Sequence, residues 1–289
     1  MVTFFELGHL GRLGNQLFQY AALRSLALER GYESKIPDPK TCTWHGQTSL
    51  LGQFNIESKY LSQKEAAQII YQYREPDYMN YHEHFYTIPD NTNISGFFQS
   101  IYYFKNHQEQ IKKELTPKEV HMEKARQVIE DLRGQHDAEI VSLHLRRGDN
   151  TDNTDPNQVE LNNFYNEDGP YYEYLANALN QFEGNKVKFL VFTGGKRGAD
   201  DNSEDVKWCK EHLVGEHFLF SEGKSTLEDF SLIVSCDHNI LSHVSSFGWW
   251  AAYLNANPNK VVVAPQKYHP DCPQIDYRPG FYPEEWILV

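Results

Sequence analysis

Several features that define other protein classes are missing from this sequence of 289 residues. No stretch approaches the roughly 20 consecutive apolar residues of a membrane-spanning helix. The apolar run at the N-terminus is broken by Glu6 and follows no basic segment, so a signal peptide is not predicted. The cysteines lack C-x-x-C spacing and are too few for a dense disulfide framework; they are Cys42, Cys209, Cys236 and Cys272. These absences predict a cytoplasmic protein.

Positive charge is also scarce. Lysine and arginine number 27 against 40 aspartate and glutamate residues, which gives a formal net charge of −13. Binding to nucleic acid or to an anionic membrane depends on clustered cations, so neither partner is predicted. Any anionic ligand must be held locally. The most conspicuous cations are Arg146 and Arg147, which are adjacent.

Patterns for metal binding are equally sparse. The sequence has no Asp-x-Asp, which many sugar transferases use to hold a metal-bound diphosphate. His82 and His84 flank Glu83, but an evident third ligand is missing. We therefore predict no metal and no cofactor. The protein itself must then neutralise the charge of any anionic leaving group.

The first half has a regular beginning and an irregular middle. A hydrophobic content of 40% is typical of a globular protein. Residues 3–7 are predicted as a strand, followed by a loop with three glycines and a helix over about residues 15–29 that ends at Gly31. Residues 35–115 show no pattern from which elements can be assigned.

A second domain is predicted after a helix over residues 117–133. The turn signals at residues 134–137 indicate a boundary, so the predicted domains are 1–135 and 136–289. Beyond it, short apolar strands alternate with helical segments, which is typical of a parallel sheet covered by helices. The predicted strands are residues 140–145, 187–192, 218–220, 238–241 and 261–264. The fold class is therefore α/β.

Helix starts in this half carry their own signals. Ser225 and Glu228 have the spacing of a capping box, and residues 248–254 are predicted as a helix. Ligands of open parallel sheets bind at the carboxyl ends of the strands. Polar loops at those ends are therefore candidate binding sites.

Three loops carry residues that can bind an anion. Residues 146–149, with the sequence RRGD, follow a predicted strand and form either a phosphate cradle or surface ion pairs, which spacing alone does not distinguish. Residues 8–15 place glycines before a helix, where backbone N–H groups face an anion, although they lack the dinucleotide pattern G-x-G-x-x-G. Residues 242–250 offer serines at a helix start and two tryptophans that pack in the core.

Taken in order, these segments resemble the α-1,2-fucosyltransferase family, and more distantly the α-1,6- and protein O-fucosyltransferases. Residues 11–21 (GRLGNQLFQYA) look like the N-terminal signature of the family, and residues 96–100 (GFFQS) like its middle segment. Residues 144–149 (HLRRGD) match its H-x-R-R-x-D motif. Residues 245–252 (SSFGWWAA) and 283–286 (PEEW) resemble its two later signatures.

The resemblance implies a fold, a reaction and an acceptor. The fold would be two Rossmann-like domains that face a cleft, a GT-B-like glycosyltransferase architecture with the GDP-fucose-binding domain second. The reaction would move L-fucose from GDP-fucose to a sugar hydroxyl, with inversion and without metal. The acceptor would be the 2-OH of a terminal galactose, for example on a surface polysaccharide. The resemblance gives no oligomeric state.

The resemblance also implies roles for the arginine motif. Arg146 would hold the β-phosphate of the donor and stabilise the departing GDP, and Arg147 would support the loop or the donor. His144 and Asp149 would shape the nucleotide site. Asp149 is also a candidate base, but it could equally fix one of the arginines.

Further roles fall outside that motif. Asp229 is a candidate for the guanine edge, and Ser245, Ser246 and Phe247 would contact phosphate and fucose. Asn15 and Arg12 would face the reacting bond from the first domain, with Arg12 assigned to donor binding.

One departure from the family pattern and several alternatives stay open. Thr193, Gly194 and Gly195 stand where many members have Ser-Asp-Asp, and a polar insertion follows, so no role is transferred there. Alternatives are a transferase of another linkage such as α-1,6, one that uses another nucleotide sugar, and a non-catalytic carbohydrate-binding protein. The last is suggested by tyrosines in one segment, Tyr71, Tyr73, Tyr78, Tyr81 and Tyr86. A nucleotide-dependent oxidoreductase lacks its fingerprint.

Overall fold

The chain folds into two compact units, each with its own parallel β-sheet, which confirms the predicted α/β class. The computed structural model describes residues 1–77, 80–151, 170–194, 201–267 and 279–289. Within these ranges, the first unit contains residues 1–118 and 279–284, and the second contains residues 119–267 and 285–289.

The first unit is built on a five-stranded parallel sheet. The strands of this unit are β1 (Val2–Thr3), β2 (Ser34–Ile36), β3 (Thr43–Trp44), β4 (Gln47–Thr48), β5 (Lys59–Tyr60), β6 (Tyr71–Arg74) and β7 (Thr92–Ser95). Its helices are α1 (Leu13–Arg30), α2 (Gln63–Ala66) and α3 (Gln108–Leu115). The strand order is β5-β2-β1-β7-β6, and β3 and β4 form a separate antiparallel hairpin.

Helix α1 confirms the prediction for the opening segment. Gly31 ends it in the left-handed conformation, with φ 67°, and its backbone N–H reaches the carbonyls of Ala27 and Leu28. Glycine adopts this conformation without the steric cost of a Cβ, which is why it ends the helix so well. Strand β1 is shorter than predicted, because the chain leaves the sheet after Thr3 and turns through residues 4–12 into the helix.

Four of the five strands of this sheet lie where the sequence showed no pattern. Strands β2, β5, β6 and β7 have only two to four residues each. A run of two residues is too short to show the alternation by which strands are recognised. The edge strand β6 is also largely exposed, so it lacks the apolar signal of a buried strand.

The tyrosine-rich segment mostly packs into the core of the first unit. The Phe85 ring, which is fully buried, lies 6.2 Å from Tyr73 and 5.3 Å from Tyr86. The Tyr81 ring lies 4.9 Å from Tyr103. Tyr71 is half exposed, and Tyr78 lies outside the described residues. The segment therefore forms a packed aromatic cluster instead of an open platform.

The second unit is built on a six-stranded parallel sheet. Its strands are β8 (Glu139–Leu145), β9 (Val187–Thr193), β10 (Phe218–Phe220), β11 (His238–Ile240), β12 (Val262–Ala264) and β13 (Ile287–Leu288). Its helices are α4 (Glu119–His136), α5 (Pro170–Asn180), α6 (Ser203–His212), α7 (Thr226–Ser235) and α8 (Ser246–Leu254). The predicted capping box of Ser225 and Glu228 starts α7.

The order of this sheet has a topological switch point. The strands lie in the order β10-β9-β8-β11-β12-β13, so the chain adds strands first to one side of β8 and then to the other. Strand β8 is buried along its length after Glu139, as expected for a parallel strand covered on both faces. The switch point between β8 and β11 is the place where doubly wound sheets bind their ligands.

The boundary between the units differs from the predicted one at residue 135. Helix α4 continues through Gly134 to His136, so the turn signal there does not end the helix. The helix packs against α7, and Arg133 donates to both carboxylate oxygens of Asp237, at 2.9 and 2.7 Å. Its packing and its ion pair thus attach α4 to the second sheet.

Candidate functional site

The two strands on either side of the switch point end in polar loops. Arg146 and Arg147 follow β8, and Ser242 and His243 lie after β11. The backbone N–H of Arg146 donates a hydrogen bond of 3.0 Å to Ser242 Oγ, which joins the two loops. Both arginines therefore stand where a ligand of this sheet is expected.

The loop after β8 is a tight turn. Gly148 has φ 48°, and the N–H of Arg147 donates to the carbonyl of Leu145 at 2.9 Å. Residues Gly148–Thr151 then form a 3-10 turn, and both arginines are partly buried beside it. The side chain of Asp149 lies outside the described part of the structure, so its assignment as a catalytic residue stays a prediction.

His144 is the next-to-last residue of β8, and its imidazole is buried. Burial, together with the positive charge of Arg146, lowers the pKa of His144 to about 3. The ring is therefore neutral at physiological pH. Its buried Nδ1 has no hydrogen-bond partner among the described residues. A Cβ added to Gly248 would stand only 2.6 Å from this atom, so a glycine is needed where the helix passes the ring.

The first turn of α8 carries three predicted donor-binding residues. Ser245 is the N-cap, and its Oγ accepts a hydrogen bond of 3.4 Å from the N–H of Gly248. Ser246 and Phe247 follow, and the Phe247 ring lies 5.7 Å from that of His144. A helix start supplies backbone N–H groups and the positive end of the helix dipole, both of which favour an anion. The start of α8 therefore lies beside the end of β8, and the role of these three residues in donor binding stays a prediction.

Val244, just before this cap, has φ 49°. A β-branched residue is an outlier in the left-handed region, because its side chain is crowded against the backbone there. Such a conformation costs on the order of 1–3 kcal/mol and persists only where the surrounding structure imposes it. Strain of this kind is common at ligand-binding loops, which supports the assignment of residues 242–247 to the site.

The two tryptophans of this segment serve the core, as predicted. Trp249 and Trp250 are fully buried, with ring centroids 5.0 Å apart. Trp249 also stacks on Tyr253 at 4.9 Å and lies 5.5 Å from Trp286 near the C-terminus. They fix α8 in the second unit, and with it the position of the serines at its start.

Asp229 lies at the same edge of the sheet, one turn into α7. Ser221, the residue after β10, donates from its Oγ to Asp229 Oδ1 at 2.7 Å. Burial raises the pKa of Asp229 to about 7, and Glu228 adds to the shift, although the bond from Ser221 opposes it. Strand β10 is two strands away from β8, which corresponds to roughly 10 Å at the usual strand spacing. The role of Asp229 in binding guanine stays a prediction.

Two contacts of Arg147 were missed by the sequence analysis. Its Nε lies 3.3 Å from Asp205 Oδ1, and its guanidinium carbon lies 3.7 Å from the centroid of the Trp208 ring. Both partners are on α6; Asp205 belongs to the polar insertion to which no role was assigned, and Trp208 follows that insertion. The sequence carries no signal that pairs Arg147 with residues about 60 positions further along the chain. A polar insertion is also usually a surface loop, so a contact with the arginine loop was not expected.

In the first unit, the structure brings two of the sequence motifs together. Asn15 Oδ1 accepts a hydrogen bond of 2.8 Å from Gln99 Nε2, which joins the glycine loop to the segment after β7. Gln16 Nε2 donates to Gly11 O at 2.9 Å and so ties the loop to α1. Arg12, the N-cap of α1, is half-buried. Gln99 is thus a further candidate site residue in the first unit.

Two other predictions concern absences. No group of three or more potential metal ligands occurs in the part of the chain that the structure describes. His82 Nε2 lies 3.1 Å from the backbone oxygen of Asp77. Among the described helices, none is long and apolar enough to cross a membrane.

Comparison with known proteins identifies related sequences along the whole chain. The model of glycosyl transferase family 11 matches residues 2–289. An alpha-1,2-colitosyltransferase from Escherichia coli is 25% identical over 96% of this chain and 96% of the relative. A galactoside alpha-(1,2)-fucosyltransferase 1 from Aotus azarae is 29% identical over 96% of this chain and 73% of the relative.

Solved structures share the fold at low sequence identity. POFUT1 in complex with GDP-fucose superposes with a TM-score of 0.51 at 10% identity, over 91% of this chain and 97% of that chain. NodZ alpha-1,6-fucosyltransferase soaked with GDP-fucose gives a TM-score of 0.50 at 14% identity, over 88% and 91% of the two chains. At these identities the likeness supports the fold alone.

Replacing either of two helical glycines with alanine should change the stability of the protein in opposite directions, because only Gly248 lies against His144. Gly248→Ala should lower the free energy of unfolding by about 1–3 kcal/mol, because the new methyl group displaces the buried ring. Gly134→Ala is the matched control: its Cβ would meet nothing within 4 Å, so alanine should raise the free energy of unfolding by up to about 1 kcal/mol. Urea unfolding measures both. Equal effects of the two variants would contradict the packing described here.

Proposed function

This chain belongs to glycosyl transferase family 11, and we propose that it transfers L-fucose from GDP-fucose to the 2-OH of a terminal galactose. The observation that carries the proposal is the pair of arginines at the switch point of the second sheet. Relatives named galactoside alpha-(1,2)-fucosyltransferase support the sugar, the acceptor and the linkage. A galactoside of a surface polysaccharide is the acceptor that we infer.

The arginine loop suits a diphosphate leaving group. When the bond between the fucose carbon C1 and the diphosphate oxygen breaks, negative charge accumulates on the β-phosphate. Arg146 provides a fixed positive charge for it, because its backbone is held by Ser242. Arg147 adds a second positive charge, and the N–H groups at the start of α8 add hydrogen-bond donors. In this proposal the protein neutralises the leaving group without a metal.

The remaining residues of the second unit would hold the other parts of the donor. Ser245, Ser246 and Phe247 would contact the phosphates and the fucose. The carboxylate of Asp229 would accept hydrogen bonds from the N–H groups of guanine. Neutral His144 adds no charge to the site and supports the loop by packing against Gly248. The roughly 10 Å between β8 and β10 leaves room for the nucleotide between the two ends.

Catalysis would be a direct displacement with inversion at C1. The acceptor oxygen forms its bond to C1 as the bond to the diphosphate breaks, and the acceptor proton leaves to a base. Asn15, held by Gln99, and Arg12 are proposed to orient the reacting groups. An amide cannot take up the proton, so Asn15 is not the base. Asp149 is the candidate that the sequence offers. The facing of two domains across a cleft and the cytoplasmic location stay predictions.

A colitosyl donor is the alternative that a specific finding favours. The relative from Escherichia coli, which aligns over 96% of both chains, is named an alpha-1,2-colitosyltransferase. The relatives of this chain therefore include transferases that are named for different sugars. A different linkage such as α-1,6 and a non-catalytic carbohydrate-binding protein are further alternatives. The second has less support, since the tyrosines that suggested it mostly pack in the core.

The proposal is tested by incubating the protein with GDP-fucose, a colitosyl donor or other nucleotide sugars, and a panel of galactosides. We expect release of GDP from GDP-fucose, undiminished by EDTA, and a product whose NMR spectrum shows an α-1,2 linkage to galactose. Preferential turnover of a colitosyl donor would replace the proposed sugar. Tight glycan binding without release of GDP would refute the enzymatic assignment.

Loss of the Arg146 side chain should lower kcat/KM strongly. Arg146→Ala removes a charge-assisted contact to the leaving group, which is worth about 2–5 kcal/mol, or roughly thirtyfold to several-thousandfold in rate. Arg126→Ala, on the exposed face of α4, removes the same charge and should leave kcat/KM within about twofold. Undiminished transfer by Arg146→Ala would overturn the role assigned to this residue.

Donor binding should depend on pH through Asp229. The carboxylate form is needed to accept from guanine, and its pKa is about 7, so GDP affinity should fall by up to about tenfold per pH unit below that value. Asp229→Asn should weaken GDP binding at pH 8 and flatten this profile. Isothermal titration of GDP between pH 6 and pH 8 measures both.

The same variant should be more stable than the wild type at pH 8. The pKa of Asp229 is raised in the folded state, so ionisation of its carboxyl opposes folding, and stability is lost as pH rises from its ordinary pKa towards about 7. Asp229→Asn removes that cost, and its advantage should shrink towards pH 5. A variant that is less stable at pH 8, or that binds GDP normally, would contradict the assignment.

A further inference from the structure

Helix α6 carries two residues that contact the arginine loop. Asp205 Oδ1 lies 3.3 Å from Arg147 Nε, and the ring of Trp208 lies 3.7 Å from the guanidinium carbon. One contact is at the edge of the guanidinium group and the other is at its face. A planar group held at an edge and at a face cannot rotate freely. These two contacts therefore fix the plane of the Arg147 side chain.

The ion pair is buried. The side chains of Arg147 and Asp205 are only 11% and 5% exposed, so solvent screens their attraction weakly. The other carboxylate oxygen, Asp205 Oδ2, is buried without a hydrogen-bond partner among the described residues. An unsatisfied buried oxygen opposes folding. A carboxylate placed here for stability alone would be expected to satisfy both of its oxygens.

Trp208 is itself held in place by His212. The His212 ring stacks on it at 3.9 Å with an interplanar angle of 17°, and His212 Nδ1 lies 2.8 Å from the backbone oxygen of Trp208. Two groups within 4 Å of one ring centroid cannot share a face, so His212 and Arg147 lie on opposite sides of the indole. The stack leaves Trp208 little freedom to move away from Arg147.

Helix α6 is attached to the carboxyl edge of the sheet. Asn202 is its N-cap, and Asn202 Nδ2 donates to the backbone oxygens of Thr193 at 3.1 Å and Ser221 at 3.4 Å. Thr193 is the last residue of β9, and Ser221 is the first residue after β10. Gly194 has φ 122°, and a Cβ there would stand 2.9 Å from Asn202 Cβ. The glycine after β9, where the family pattern is different, therefore lets α6 dock beside the site.

We propose that Asp205 and Trp208 are positioning residues, which orient the Arg147 guanidinium towards the diphosphate of the nucleotide-sugar donor. A guanidinium binds phosphate through two parallel N–H groups, and this geometry depends on the orientation of its plane. The proposal rests on the proposed function, because it needs a diphosphate at the switch point. It assigns a role to a polar segment whose sequence gave none.

The test measures the dissociation constant of GDP by isothermal titration, together with KM for donor and acceptor. Asp205→Asn keeps the shape of the side chain but removes its charge, and should weaken GDP binding about tenfold, as for other residues that orient a ligand-binding group. Trp208→Leu should weaken it roughly threefold to thirtyfold, the range for a lost cation–π contact. The KM for the acceptor should not change.

Conservative and control variants separate positioning from general structural damage. Trp208→Phe keeps an aromatic face for Arg147 and should bind GDP within about threefold of the wild type. Glu211→Gln removes a carboxylate from an exposed position of the same helix, and should have no effect. Thermal unfolding identifies any variant that does not fold. If Trp208→Leu fails to fold, Asp205→Asn and the cycle described next decide the matter.

A double-mutant cycle with Arg147→Lys shows whether Asp205 acts through Arg147. Lysine has no planar group to orient, so Asp205→Asn in the Arg147→Lys background should change GDP affinity by less than about twofold. Additive effects, or normal GDP affinity in both Asp205→Asn and Trp208→Leu, would overturn the proposal. If the wild type binds another nucleoside diphosphate and not GDP, the proposed donor is wrong, and the same cycle is measured with the nucleotide that binds.

Discussion

The hydrogen bond from the backbone of Arg146 to Ser242 Oγ joins the ends of the two central strands of the second sheet. Because β8 and β11 lie on either side of the switch point, this contact fixes the position of the arginine loop relative to the start of α8. Two adjacent arginines repel each other, and the chain as a whole is strongly acidic. Their arrangement therefore depends on fixed backbone contacts and on Asp205, and it creates a local positive site in a negatively charged protein.

Several local rules of protein structure are broken at this one edge. Val244 adopts a left-handed conformation, Asp229 is a carboxyl whose burial raises its pKa, and Asp205 keeps a buried oxygen without a described partner. Each of these features opposes folding. Features that cost stability and gather at one place are expected at functional sites, where selection acts on ligand binding as well as on stability.

The parts of the fold that were predictable are those with strong local signals. Gly31 ends α1, and Ser225 and Glu228 cap α7. The apolar runs of β8 and β9 are long enough to be recognised as strands. The strands of the first sheet were missed because two to four residues carry no period. The extent of α4 was missed because a glycine near a helix end does not always stop the helix. The contacts of Asp205 and Trp208 with Arg147 could not be predicted from the sequence, because they depend on where α6 packs in the folded protein.

The central claim is that the switch point of the second sheet binds the diphosphate of the donor. A crystal structure of the protein with GDP tests this most directly. We expect the β-phosphate within hydrogen-bond distance of the Arg146 guanidinium and of the first N–H groups of α8, with guanine next to Asp229. A diphosphate bound elsewhere, for example only at the glycine loop of residues 8–14 with the arginine loop empty, would contradict the account.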